Sequence, residues 1–170
     1  MLSILPVVLS AALFMPTSAL SREALLTSPT RHVRTTNGYV QRLLREGLDR
    51  SPTFRAIVTR LESSDVIVYI ETVESLPPAL AGRLVLLPIA STQRYLRIQI
   101  TTGASPNELI SLIGHELRHA LEVAEAPEVR DDSGMIELYR RIGERGRAEH
   151  LFDTLAAQAV GKRVRHELLA

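Results

Sequence analysis

The chain of 170 residues contains no cysteine, which removes disulfides, thiolate metal sites and a cysteine nucleophile from consideration. Any metal it binds must be held by histidine and carboxylate. Aromatic residues make up 4% of the chain, too few for the stacking platforms on which nucleic-acid bases sit. The formal net charge is +1, and no block of like charge occurs. A general nucleic-acid binder needs a basic face, so nucleic acid is not an expected partner. No long apolar run follows the N-terminal one, and no stable membrane insertion is expected beyond that leader. The whole chain is 45% apolar and 23% charged, the make-up of a soluble domain with an ordinary core.

The stretch from Leu2 to Met15 is almost wholly apolar, contains Pro6 and is followed by Pro16. Thr17-Ser18-Ala19 then fits a small-x-small cleavage pattern. Residues 1–20 therefore read as a signal peptide, and the protein as exported, periplasmic or secreted, although no Lys or Arg precedes the apolar run. Residues 21–36 are polar and irregular and read as a linker, leaving 37–170 as one domain.

Val40, Leu43, Leu44 and Leu48 fall at helical spacing, as do Phe54, Ile57, Val58 and Leu61 after the Ser51-Pro52 start signal. Val66 to Ile70 is rich in β-branched residues and fits a buried strand. Leu84 to Ile89 and Tyr95 to Ile100 predict two more, joined as a hairpin through Ser91-Thr92-Gln93. Ser105-Pro106-Asn107-Glu108 carries a capping box with proline at the first helical position. The apolar series through Leu117 predicts a largely buried helix running to about Ala124. A short helix over Met135 to Ile142 and a last one from about Glu149 to Leu168 complete an α+β reading. The expected sheet is small and largely antiparallel, with the long helix packed against it.

That long helix carries His115-Glu116-Leu117-Arg118-His119, an HExxH motif. Residues four apart lie on one helix face, so both imidazoles can aim at a single ion. Glu116 is offset around the helix, where its carboxylate can reach a water on that ion without itself being a ligand. Zinc lowers the pKa of such a water, and Glu116 can accept its proton as general base and deliver it to a leaving amine. The expected activity is therefore zinc-dependent hydrolysis of a peptide or protein substrate. Chance alone produces such a match in about one of a hundred chains of this kind. The bland alternative is an exposed helix with a surface Glu–His–Arg cluster, yet two histidines in an apolar helix are costly to bury without partners.

A third ligand is required, and three acids qualify. Glu122 lies on the stripe of the two histidines, where a straight helix makes its reach to the ion doubtful, and reads better as a residue behind the ligands or as a partner for Arg118. Glu137 stands at a spacing from His119 similar to that in thermolysin-like enzymes. Asp153, in Leu151-Phe152-Asp153-Thr154, lies among apolar residues where a charge needs a compensating partner, with Thr154 placed to orient it. It reads equally as a helix-start carboxylate. Tyr139 and His150 are candidate donors to an oxyanion, whereas His32 and His166 lie in polar stretches and read as solvated.

The segment Gly114-His115-Glu116-Leu117-Arg118-His119-Ala120-Leu121-Glu122-Val123-Ala124, with Leu138-Tyr139-Arg140-Arg141-Ile142-Gly143 and Phe152-Asp153-Thr154, Gly161 and Val164-Arg165, resembles a group of small, poorly characterised bacterial zincin-like (HExxH) proteins of the metallopeptidase type. The resemblance covers about a third of the chain. It implies a zincin-like fold, and it implies Asp153 as the third ligand beside His115 and His119. The group often has Glu at that place, so Asp153 is one methylene shorter. Arg118 also departs from the stricter peptidase pattern, which prefers uncharged residues between Glu and the second His. The main alternative is a catalytically inert zincin-like protein with a binding or structural role.

Overall fold

The computed structural model describes residues 30–77, 80–88, 92–145 and 152–170. The leader and His150 lie outside the described residues. Among these residues, five helices and a four-stranded sheet form an α+β fold, with a two-residue ribbon beside the last helix.

The first strand, β1 (Val33–Arg34), falls within the stretch read as a linker and pairs with β2 (Val66–Thr72). His32 is correspondingly not solvated. It is half-buried, with its ring Nδ1 3.0 Å from the Val66 carbonyl oxygen. Helices α1 (Gly38–Arg50) and α2 (Pro52–Glu62) follow, the second capped by Ser51 with Pro52 at its first position. Strands β3 (Gly82–Leu86) and β4 (Arg94–Ile100) form the expected antiparallel hairpin.

The sheet as a whole is mixed, not largely antiparallel. Its order is β1-β2-β4-β3, and β2 runs parallel to both β1 and β4. A parallel pair requires the chain to return to its starting edge. Here β3 makes that return, so β4 adds beside β2 without a helical crossover. Alternation along a strand reports which face is buried and is silent about the direction of its neighbour.

The inner face of the sheet presents Val66, Val68, Ile70, Leu96, Ile98 and Ile100, all buried, to the helices. The long helix α3 (Pro106–Ala124) lies against this face, with Leu109, Ile110, Ile113 and Leu117 fully buried. Its start is fixed as the sequence predicts: Ser105 and Glu108 bond each other's backbone N–H groups. Helix α4 (Asp132–Ile142) begins earlier than the apolar pattern indicates, because the Asp131 side chain accepts from Gly134 N at 2.8 Å and caps it. The ribbon pairs β5 (Glu144–Arg145) with β6 (Phe152–Asp153), and α5 (Leu155–Leu169) follows. This last helix packs closely on α3. A Cβ at Gly114 would stand 3.1 Å from Val164 Cγ2, so glycine there permits the approach.

The far end of α3 is locked by Arg94, which is fully buried at the start of β4. Its guanidinium donates to both Asp65 carboxylate oxygens, at 2.9 and 2.6 Å. It also donates to the carbonyls of Val123 and Ala126, each at 2.7 Å, and of Ala124 at 3.2 Å. The hydrogen bond from Arg94 holds the Asp65 carboxyl below its ordinary value of 3.8. A carboxyl with a depressed folded-state pKa stabilises above its unfolded pKa, and that stability is lost as pH falls through the folded value. Asp65→Asn is therefore expected to lower stability at neutral pH and to flatten its decline below about pH 4, read from urea midpoints between pH 7 and 2.5. Parallel pH profiles for the two proteins would show that the pair adds nothing.

Candidate metal centre

One turn of α3 brings the two imidazoles side by side, with ring centroids 4.9 Å apart and planes at 79°. Asp153 arrives from β6 to face both. Its Oδ1 lies 3.4 Å from His115 Nε2 and 3.5 Å from His119 Nε2. Among the described residues, His115, His119 and Asp153 are the group that could hold a metal ion, with one ligand atom from each within 4.8 Å of the others. Glu137 does not join them, being exposed on α4.

These distances discriminate between readings. A charge-assisted N–H···O bond is about 2.7–2.9 Å long, so 3.4 and 3.5 Å are too long for direct hydrogen bonds. Two ligand atoms of a tetrahedral zinc, each about 2.0–2.1 Å from the ion, stand roughly 3.3–3.4 Å apart. The donor set of two imidazole nitrogens and one carboxylate oxygen suits zinc, and three protein ligands leave a fourth position for water or substrate. The side chain of Asp153 is 41% exposed, which places the open side of the group toward solvent.

The surrounding hydrogen bonds fix the ligand orientations. A carboxylate can only accept, so the 2.8 Å contact between His119 Nδ1 and Glu122 Oε2 puts the ring proton on Nδ1 and turns Nε2 toward Asp153. The other Glu122 oxygen accepts from the Thr154 hydroxyl at 2.7 Å. That same hydroxyl accepts from Ala157 N at 3.0 Å and caps α5. The Thr154 backbone N–H donates to Asp153 Oδ1 at 2.7 Å. Asp153 is thus not inside the last helix; it precedes the cap, and the helix starts at Leu155. Thr154 serves Asp153 through its backbone and Glu122 through its hydroxyl. The sequence placed Thr154 only beside Asp153; its capping of α5 and its link to Glu122 emerge in the fold.

Glu122 is the acid whose place the motif stripe indicated as a partner. It holds His119 and also lies 3.6 Å from Arg118 Nε. Carboxylates that orient a metal-binding histidine contribute about 10–100-fold in metal affinity. Glu122→Gln offers one acceptor where two donors converge, so zinc affinity is expected to fall by about that factor. Competition with a chromophoric chelator measures it, and an unchanged Kd would remove Glu122 from the ligand scaffold.

Electrostatics separate the two histidines. Burial lowers the His115 pKa, helped by the nearby His119, and so favours the neutral form a metal requires. Burial also opposes charge on His119, but the Glu122 hydrogen bond and the carboxylates of Glu116, Glu122 and Asp153 raise its pKa overall. Burial pushes the Glu116 carboxyl up to about 7, with His119 pulling it down and Asp153 adding to the rise. Glu116 points to the sheet edge, where a Cβ on Gly82 would sit 2.8 Å from its Oε1. No hydrogen bond from a described residue reaches this carboxylate, and no side-chain polar atom among those residues is sealed without a partner.

Tyr139 is buried, its ring edge-on to His119 at 5.4 Å, with its hydroxyl 3.4 Å from the His119 carbonyl oxygen, at most a weak contact. Its ring packs against the back of the site as a core residue, where the sequence offered it as a candidate oxyanion donor. His166 is exposed, as expected. Comparison of the chain with protein-family models, curated proteins and solved structures found no match in any of the three.

Proposed function

We propose that the chain is a zinc-dependent hydrolase of peptide bonds with a zincin-like arrangement. In it, His115, His119 and Asp153 hold the ion and Glu116 acts as general base. The observation that carries this reading is the near-equal spacing of both Nε2 atoms from one Asp153 oxygen, 3.4 and 3.5 Å, which suits a shared ion and not hydrogen bonds. A zinc ion bound there supplies Lewis acidity and lowers the pKa of water.

The protein's own residues do the rest. Glu116 has a carboxyl whose pKa of about 7 suits proton transfer near neutral pH. A bound dication would draw that value down, leaving the carboxylate ready to accept a proton from water and pass it to the leaving amine. Glu122 and Thr154 keep the ligands oriented. Among the described residues β3 pairs with β4 alone. Its free edge, beside Gly82 and Glu116, offers backbone groups to an extended peptide by strand addition.

The test is a mixed peptide library incubated with the zinc-loaded protein and read by mass spectrometry, with a chelated sample beside it. Cleavage that stops on chelation and returns with zinc supports the proposal. A protein that purifies metal-free at neutral pH and takes up no zinc ends it. A zinc-bound protein that leaves every peptide intact favours the inert binding alternative.

A further inference from the structure

Between α3 and α5 a cavity of about 310 Å3 opens directly beside the His115 ring. That volume is at the small end of ligand pockets. Leu112 and Gly161 are among its lining residues, and Gln158, Lys162 and Arg165 project from successive turns of α5. Gly161 sets the floor of the cavity close to α3: a Cβ there would stand 3.4 Å from His115 Cβ, in ordinary contact. The Ser111 hydroxyl donates to the Gly161 carbonyl at 2.8 Å and pins the two helices at this point.

The charge of the cavity is unbalanced. Arg165 lies 3.6 Å from Glu108, which also lines the cavity. Glu108 is itself committed to Ser105, accepting from its backbone N–H at 3.1 Å and its hydroxyl at 2.7 Å. Lys162 has no acidic partner among the described residues. Among the described residues, the cavity thus joins a candidate metal ligand to an ammonium with no acidic partner and a guanidinium whose one nearby acid is shared with Ser105.

We infer that this cavity is a carboxylate-binding subsite of the same centre, selecting substrates that carry an acidic side chain or a free C-terminal carboxylate next to the bond cut. The inference rests on the hydrolase reading. An ammonium on a partly exposed wall discriminates a carboxylate from its amide by a modest factor, roughly three- to tenfold.

The experiment titrates the zinc-loaded full chain with three probes and follows backbone amide signals by NMR. N-acetylglutamate α-amide carries only the side-chain acid, N-acetylglutamine only the α-carboxylate, and N-acetylglutamine amide neither. Shifts at Gln158, Gly161 and Lys162 with an acidic probe but not the neutral one, lost in Lys162→Glu and kept in Lys162→Arg, are expected. Whichever acid acts identifies the source. Shifts that survive Lys162→Glu mean that the probe sits on the ion, and they overturn the subsite, as does the absence of shifts. In a second arm, the ratio of kcat/KM for a Glu peptide over its Gln counterpart falls roughly three- to tenfold in Lys162→Glu. Peptides cut without acid preference sink the subsite and leave the hydrolase standing. Probe binding at the cavity without cleavage of any peptide does the reverse.

Discussion

Glu116→Gln is expected to reduce peptide hydrolysis about a hundred- to ten-thousand-fold, the contribution of a positioned general base, while leaving bound zinc unchanged. The two halves of this result come from different geometry. Zinc retention follows because the candidate ligand atoms belong to His115, His119 and Asp153, and Glu116 is not in that group. The loss of rate follows because an amide cannot accept the proton that a carboxylate takes. Glutamine preserves the size of the side chain packed near Gly82, so folding should be spared. The acid limb of the rate profile should vanish with the carboxylate: a base works only when deprotonated, so wild-type activity climbs with pH through the Glu116 pKa. Zinc content by elemental analysis, kcat/KM and its pH profile together decide the matter. A variant with wild-type rates, or one that loses its metal, would strip Glu116 of the assigned role.

Arg94→Met is expected to destabilise the domain by about 3–5 kcal/mol, a large part of the about 5–15 kcal/mol that holds a typical domain together. Buried ion pairs are often replaceable by apolar residues at little cost, and methionine has a similar reach. The difference here is that the Arg94 guanidinium satisfies more than Asp65. It also bonds the carbonyls of Val123, Ala124 and Ala126 at the end of α3. Val123 and Ala126 each keep one backbone donor, Ala126 N and Val129 N at 3.1 Å, so each loses a second, charge-assisted bond, worth about 1.5–3 kcal/mol. Methionine can satisfy none of them, and it leaves Asp65 without its cation. Lysine keeps the charge but lacks the planar fork that serves carboxylate and carbonyls at once, so Arg94→Lys should fall between. Urea unfolding measures all three proteins. A methionine variant within about 0.5 kcal/mol of wild type would show that the helix end finds other donors.

What the sequence disclosed follows the range of the interactions involved. His115, Glu116 and His119 were legible because a helical turn is a local event. So was the start of α3, since Ser105, Pro106 and Glu108 act within four residues. Asp153 was harder. Three acids had plausible spacings, and only the folded chain separates them: Glu122 against His119, Asp153 facing both rings, Glu137 in solvent. Arg94 left no trace, because its partners lie at Asp65 and beyond Val123, far away along the chain. The direction of β4 beside β2 was hidden for the same reason. The Gly82 approach to Glu116 joins a strand to a helix, and an isolated glycine in an apolar run does not announce its neighbour.

The Thr154 hydroxyl begins the last helix and steadies Glu122 at the same time. A polypeptide made from its amino end therefore carries both histidines well before the parts that complete their surroundings. Until that closing segment docks, the half-built candidate centre lacks Asp153 and the bond that steadies Glu122, so on the proposed reading a growing or truncated chain would be born latent, competent only once its tail has folded home.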